Sequence, residues 1–113
     1  MEPILLVLTN APDRDAAREL ADGLVSARLA ACVNVLAECI SVYRWKGAVE
    51  TASETPMLIK TRAELFAQVK AFILEHHPYE VPEVIALSVS DGSSDYLEWL
   101  VQETQPLGPV QRS

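Results

Sequence analysis

The stretch Ile4-Leu5-Leu6-Val7-Leu8-Thr9 predicts a β-strand, and the segment after it predicts a turn into a helix. A compact apolar run of this length that ends at a turn signal is typical of a strand. Asn10-Ala11-Pro12-Asp13 is that turn signal, and it offers an N-cap to a following helix. The chain therefore begins with a strand that leads directly into a helix.

Apolar residues then recur at helical spacing, which predicts an amphipathic helix over about 13–28. The residues of this stripe are Ala16, Ala17, Leu20, Ala21, Leu24 and Val25. A long β-rich stretch, about 32–46, follows, and Lys46-Gly47 marks a turn. The next strand ends in Met57-Leu58-Ile59-Lys60, where Pro56 indicates a sheet edge or a bulge.

The second half of the chain repeats this order of strand and helix. Thr61-Arg62-Ala63-Glu64 has the pattern of a capping box, and it predicts a helix that ends at His76-His77-Pro78. Residues 84–89 predict a fourth strand, and a third helix follows the turn at Asp91-Gly92. We expect one domain over residues 1–113, ordered from about 3 to 105, with a loose tail from Pro106 onward.

The order β-α-β-β-α-β plus a terminal helix predicts an α+β protein with the ferredoxin-like split βαβ plan. Right-handed crossovers would place the first and third strands in the centre of the sheet. Two helices cover only one face of such a sheet, yet residues 4–8, 57–59 and 84–87 are apolar at every position. A half-solvated antiparallel sheet should alternate polar and apolar residues. We therefore expect a neighbouring subunit to cover part of the second face.

Composition limits the classes of partner. The chain has 113 residues and a net charge of −7, which argues against nucleic acid and anionic membrane surfaces as partners. No apolar run approaches the length of a membrane span. Met1-Glu2-Pro3 lacks the features of a signal peptide, and the two cysteines imply no disulfide framework. We expect a reduced, cytoplasmic protein.

Two adjacent histidines, His76 and His77, are the first candidate site. Neutral imidazole is a common ligand of copper, zinc and nickel. Adjacent residues on a helix point about 100° apart, so the pair holds one metal only if the helix frays or a second subunit adds ligands. Equally, histidines at a helix C-terminus are favoured by the helix dipole.

Aromatic and charged residues near the predicted strand ends are the second candidate site. They could line an inter-subunit cleft, or they could be packing aromatics and a solvated charged face. The residues are Tyr43, Trp45, Lys60, Tyr79 and Glu83. Sequence motifs of common enzymes, such as the P-loop, G-x-S-x-G and H-E-x-x-H, are missing from the chain, so we expect no catalytic site.

Several stretches resemble the CutA-type divalent cation tolerance proteins, from about residue 4 to 101. They are Leu29-Ala30-Ala31-Cys32-Val33-Asn34, Ser41-Val42-Tyr43-Arg44-Trp45-Lys46-Gly47, Leu58-Ile59-Lys60-Thr61, His77-Pro78-Tyr79-Glu80-Val81-Pro82-Glu83 and, more weakly, Tyr96-Leu97-Glu98-Trp99.

The resemblance implies a ferredoxin-like fold assembled as a homotrimer through inter-subunit β-sheets, with a cytoplasmic, non-enzymatic role in tolerance of divalent metals and of copper especially. In this family copper binding is attributed to a histidine pair before a Pro-Tyr step and to a cysteine at the end of the first strand. His76 and His77 match the pair, whereas Thr9 stands at the cysteine position. The expected metal is therefore Cu(II), which imidazole suits.

The architecture also resembles the PII signalling proteins. This second resemblance implies a module that senses a small anionic metabolite in clefts between subunits, for which Lys60, Arg44 and Trp45 would be suitable. A third alternative is an enzyme of the acylphosphatase type, which shares the split βαβ plan. Its phosphate-binding loop should follow the first strand, where Pro12 removes one amide and Asp13 adds a negative charge.

Overall fold

Residues 2–106, the part of the chain that the computed structural model describes, form five strands and three α-helices. The elements are β1 (Ile4–Ala11), α1 (Arg14–Ser26), β2 (Cys32–Val35), β3 (Cys39–Trp45), β4 (Ala48–Arg62), α2 (Phe66–His76), β5 (Ile85–Ser88) and α3 (Ser94–Glu103), with a short 3₁₀ turn at Ala63–Leu65. The mixed α+β class is confirmed. The predicted loose tail lies, apart from Pro106, outside the described residues.

The strands form one antiparallel sheet in the order β2-β4-β1-β5, with β3 also paired to β4. β1 and β4 pair along the whole of β1, from Ile4 opposite Arg62 to Ala11 opposite Thr55. β5 pairs with the other edge of β1, with Leu5 opposite Ser88. The first strand is therefore central, with another strand paired along each of its edges.

Alternate residues of the central strands form the core beneath α1 and α2. Val7 and Ile59 are fully buried against Leu24 of α1 and Ile73 of α2. Burying a side chain of this size contributes roughly 1.5–3 kcal/mol relative to leaving it in water. Gly23 permits the two helices to approach closely, because a Cβ there would lie 2.5 Å from Cζ of Phe72.

The first helix begins where the sequence predicts. Asp13 is its N-cap, and the Asp13 carboxylate accepts a hydrogen bond from the backbone N–H of Ala16 at 2.8 Å. The predicted helix over 13–28 is shortened at its C-terminal end, where Arg28 adopts a positive φ of 60°. Leu20 and Leu24 of the predicted stripe are buried, whereas Val25 is exposed.

The predicted long strand over 32–46 is wrong in one respect, because it is divided into β2 and β3. Val35 pairs with Met57 and Cys39 pairs with Glu54, so three residues, 36–38, lie opposite the two residues Thr55 and Pro56. An extra residue of this kind is a bulge. The bulge predicted at Pro56 is thus present on the neighbouring strand, while the alternative of a sheet edge is wrong because Pro56 lies within a central strand.

The predicted capping box at residues 61–64 is also wrong. Thr61 and Arg62 are the last residues of β4, and Arg62 makes no side-chain capping bond to the 3₁₀ turn. The Thr61 hydroxyl instead donates to the carbonyl oxygen of Leu29 at 2.5 Å, and the Glu64 carboxylate pairs with the Arg62 guanidinium. Strand pairing with β1 continues through Arg62, so the helix starts later than the local motif predicts.

Residues 39–54 form a two-stranded hairpin, here called the arm, made of β3 and the first half of β4. The arm closes at Lys46-Gly47, the predicted turn, where both residues have positive φ, 49° and 82°. Two central residues of this kind are typical of the turns that match the twist of a tight hairpin. With the arm extended, the described residues measure 61 by 31 by 23 Å.

The second face of the sheet is only partly covered within the chain. Leu97 and Leu100 of α3 pack on Ile4 at one end of the face. Farther along, Ile85 and Leu87 of β5 remain half exposed. On the arm, Ile40 and Val42 are even more exposed, at 74% and 67%. The chain therefore presents a large apolar surface on the sheet face and the arm.

Candidate functional site

A cavity of about 970 Å³ lies between the arm and residues 77–84, the segment that follows α2 and is here called the post-helix segment. Its volume is within the range of small-molecule sites. The lining residues are Asn10, Ser41, Val42, Tyr43, Trp45, Ala52, Glu54, Pro78, Tyr79, Glu80, Val81, Pro82 and Glu83. The site therefore joins β1, both strands of the arm and the post-helix segment, which are distant in sequence and adjacent in the fold.

Four of the five residues that the sequence predicted for a cleft meet in this cavity: Tyr43, Trp45, Tyr79 and Glu83. Lys60 does not. It lies on the second face of the sheet, opposite Leu6 and Cys32, with its Nζ 5.8 Å from the ring centroid of Tyr96. Lys60 is therefore placed to contact α3, and its charge is not part of the cavity.

The carboxylates of the lining differ strongly in exposure. Glu80 forms an exposed ion pair with Lys46, with Oε2 and Nζ separated by 3.8 Å. Glu54 is only 8% exposed although it lines the cavity. Burial of the phenol, and then the nearby Glu54 carboxylate, raise the pKa of Tyr79. The cavity thus combines aromatic walls with a buried carboxylate that lies close to one of them.

His77 is held by both of its ring nitrogens. Nδ1 accepts a hydrogen bond from the backbone N–H of Tyr79 at 3.1 Å, so Nε2 carries the proton and donates it to the carbonyl oxygen of Asn10 at 2.6 Å. The side chain is 7% exposed. His77 therefore fastens the post-helix segment to the end of β1, and this determines where one wall of the cavity lies.

His76 has a different environment, although it is the next residue. Its ring stacks on Phe72 with centroids 4.2 Å apart, and its Nδ1 contacts the carbonyl oxygen of Phe72 at 2.8 Å. The side chain is exposed. His76 is the last residue of α2 and His77 already has an extended backbone, so the two side chains face different surroundings. The accessible metal-ligating atom of the pair is Nε2 of His76.

Few metal-ligating side chains lie close to one another within a single chain. No group of three or more His, Cys, Asp or Glu side chains suited to one ion occurs within residues 2–106. Thr9 is buried in β1, and its hydroxyl is without a hydrogen-bond partner in that part of the chain. Cys32 and Cys39 are both unpaired thiols.

Glu54 and Asn10 are among the cavity residues that were not predicted from the sequence. Glu54 lies in the mostly polar stretch 50–55, where no pattern distinguishes it from its neighbours. Asn10 contributes its backbone carbonyl to His77, a contact for which the amino-acid type gives no signal. Both depend on pairing between β1 and β4, which brings residues 10 and 56 opposite each other.

Comparison with known proteins gives a consistent result. Residues 5–103 match the family described as CutA1 divalent ion tolerance protein. The chain is 43% identical over 103 residues to Protein CutA, chloroplastic, of Arabidopsis thaliana, covering 91% of this chain and 57% of that protein. It is 41% identical over 99 residues to the divalent-cation tolerance protein CutA of Thermus thermophilus, covering 88% of this chain and 96% of that protein.

Solved structures agree with these sequence matches. The crystal structure of CutA1 from Oryza sativa superposes with a TM-score of 0.90 at 40% identity, covering 92% of this chain and 95% of that one. The chain spans little more than half the length of its plant and mammalian relatives. Within residues 2–106 no helix is long and apolar enough to cross a membrane. The sequence match over residues 5–103 and the shared fold together establish that the chain belongs to the CutA1 divalent ion tolerance family.

Proposed function

We propose that this chain acts as a non-enzymatic homotrimer with the ferredoxin-like topology, in the tolerance of divalent metal ions and of copper in particular. The family match over residues 5–103 carries the proposal, together with a relative of nearly equal length named for divalent-cation tolerance. The apolar surface of the sheet face and the arm supports assembly, because exposed apolar patches of this kind mark protein interfaces.

The oligomeric state tests the assembly part of the proposal. Sedimentation at micromolar concentration should give three times the 12.4-kDa mass of the chain. The arm supports such an assembly, since Ile40, Val42 and Val49 are each more than 60% exposed and burial of each would contribute favourably. A stable folded monomer in the same experiment would contradict the trimer.

For the metal we propose Cu(II), bound at the histidine pair with His76 as the first ligand. Nε2 of His76 is accessible, whereas His77 can serve only after it gives up its bond to Asn10 or to Tyr79. Further ligands would come from water or a neighbouring subunit, since residues 2–106 bring no third donor to the pair. Cu(II) is favoured because it heads the affinity series of divalent ions at nitrogen and oxygen sites.

Calorimetry with Cu(II) at pH 7.5 tests this ligand assignment. His76→Ala should lose most of the heat of binding, and Glu75→Gln, an exposed neighbour on the same helix, should bind as the wild type does. Binding should also weaken in acid, because protons compete with the metal for the imidazole. Equal binding by His76→Ala and the wild type would contradict the proposal.

We also propose a cytoplasmic location. The unpaired thiols of Cys32 and Cys39 support it, because free cysteines are usual in reducing compartments. The Arabidopsis relative is named chloroplastic, so family members are assigned to other compartments as well. Fractionation of cells expressing the native gene, probed with an antibody to this protein, provides the test.

A second candidate function is the sensing of a small molecule, for which the cavity of about 970 Å³ is the favouring observation. Its lining opposes an anionic metabolite. Glu54, Glu80 and Glu83 line it, no Lys or Arg of the described residues does so, and Lys60 lies elsewhere. We therefore propose a small-molecule ligand that is not an anion, unlike the anionic metabolite that the PII resemblance implied.

A further inference from the structure

We propose that the cavity between the arm and the post-helix segment binds a small organic ammonium ion, with aromatic rings as its walls and the Glu54 carboxylate as its counter-charge. The inference deepens the second candidate function, the sensing of a small molecule. It requires neither copper binding nor His76.

Glu54 is the observation that points to a cation. It is only 8% exposed and lines the cavity, yet none of the four ion pairs among residues 2–106 includes it. A buried carboxylate without an opposite charge is unfavourable, and the neighbouring phenol of Tyr79 compensates only part of the lost hydration. A cation in the cavity would supply the remaining compensation.

The aromatic residues determine which kind of cation fits. Tyr43, Trp45 and Tyr79 all line the same cavity. The faces of aromatic rings attract cations, and clusters of such rings recognise alkylated ammonium groups in particular. The attraction is larger when the cation leaves water, as it would beside a buried carboxylate.

A bare metal ion fits the same cavity poorly. The three lining glutamates do not converge, since no group of three or more acidic, His or Cys side chains suited to one ion occurs in the described part of the chain. Hard cations require several oxygen ligands at short distance. A larger cation with a dispersed charge can instead contact Glu54 on one side and the rings on the other.

The test uses choline and its uncharged isostere 3,3-dimethylbutan-1-ol, which differ in charge and very little in shape. Titration of the full-length protein, followed by saturation-transfer NMR, gives both dissociation constants. Choline should bind at least about 10-fold more tightly, the difference expected for a partly desolvated cation at aromatic faces. Absence of choline binding, or equal binding of the two compounds, would overturn the proposal.

Two variants locate the site. Glu54→Gln keeps the size and the hydrogen-bonding capacity of the side chain, and it should weaken choline binding by about 10-fold with little effect on the isostere. Glu19→Gln removes one charge from the exposed surface of α1 and should leave choline binding unchanged. If Glu19→Gln weakens binding as much as Glu54→Gln does, the general acidity of the protein explains the binding and the proposal fails. The comparison of the two compounds on the wild type stands even if Glu54→Gln does not fold.

Copper is the remaining control. Choline affinity should be the same for His76→Ala and the wild type, because the His76 ring does not line the cavity. Loss of choline binding in His76→Ala would overturn an independent cavity site. Failure of choline to bind alongside normal copper binding would reject this inference while leaving the metal proposal intact.

Discussion

His77 and Asn10 are joined across 67 positions of the chain by a hydrogen bond of 2.6 Å from the imidazole Nε2 to a backbone carbonyl oxygen. The opposite ring nitrogen accepts the backbone N–H of Tyr79, so the neutral tautomer with its proton on Nε2 satisfies both contacts. One side chain therefore links β1 to the segment that forms a wall of the cavity. The histidine pair consists of a structural His77 and an accessible His76.

The two histidines should have unequal effects on stability. His77→Ala removes a buried ring and leaves the Asn10 carbonyl and the Tyr79 amide without partners, so it should lower the free energy of unfolding by about 2–4 kcal/mol. His76→Ala, at an exposed position, should cost about 0.5 kcal/mol. Urea unfolding at one fixed protein concentration measures both, and similar losses for the two variants would contradict the assignment.

Thr9 should be replaceable with a gain in stability. Its hydroxyl is buried without a partner among the described residues, so Thr9→Val should raise the free energy of unfolding by about 1 kcal/mol. Thr61→Val is the matched control, because the Thr61 hydroxyl is equally buried but donates to Leu29, and its removal should cost about 1–2 kcal/mol. Denaturant unfolding of the two variants should therefore shift in opposite directions.

Trp45 should contribute to assembly. It lies at the tip of the arm and is 37% exposed in the single chain, and large aromatic residues dominate interface energies. Trp45→Ala should shift sedimentation toward smaller species and lower the melting temperature. Leu74→Ala provides the control, since Leu74 is 52% exposed on α2 away from the arm. An unchanged assembly in Trp45→Ala would show that this residue is not an interface anchor.

Tyr79 should make the folded state sensitive to alkaline pH. Burial, and then Glu54, raise its pKa in the folded protein above the ordinary value, so the folded state retains a proton that the unfolded chain loses. The resulting stability is fully present below about pH 10, the ordinary tyrosine pKa, and is lost as the pH rises through the folded pKa. Melting temperatures between pH 8 and 11 should fall less steeply for Tyr79→Phe than for the wild type. Tyr96→Phe is the control on α3, and parallel curves for Tyr79→Phe and the wild type would contradict the prediction.

Local sequence patterns predicted the elements of this fold well where pairing agreed with them. The apolar run at 4–8, the cap at Asp13 and the turn at Lys46-Gly47 all lie where expected. The motif at 61–64 failed because long-range pairing of Arg62 with Ile4 extended β4 through it. Local capping energies of about 1 kcal/mol are easily outweighed by a continued strand ladder and burial.

The candidate site was predictable only in part, for a related reason. The aromatic residues and Glu83 stand at strand ends, where a cleft is common, and they do meet in the cavity. Lys60 was misplaced because it lies opposite Leu6, several residues along the paired strands from Asn10 at the cavity, and that position depends on long-range register. Glu54 could not be distinguished within a polar stretch, because its position near Tyr79 depends on the tertiary fold.

The junction at Pro56 has a consequence for how the molecule is held together. There β4 exchanges one neighbour for another, and proline contributes no amide donor at the change. The second half of β4 is paired with a strand on each edge, whereas in the arm β4 is paired with β3 alone. An isolated two-stranded ribbon is only marginally stable in water. The conformational entropy that the arm loses on ordering must therefore be offset by packing against its apolar faces. In the proposed trimer, ordering of the arm and association of subunits would be a single thermodynamic event, and a substitution in the arm would change the stability of the chain and its affinity for a second copy together.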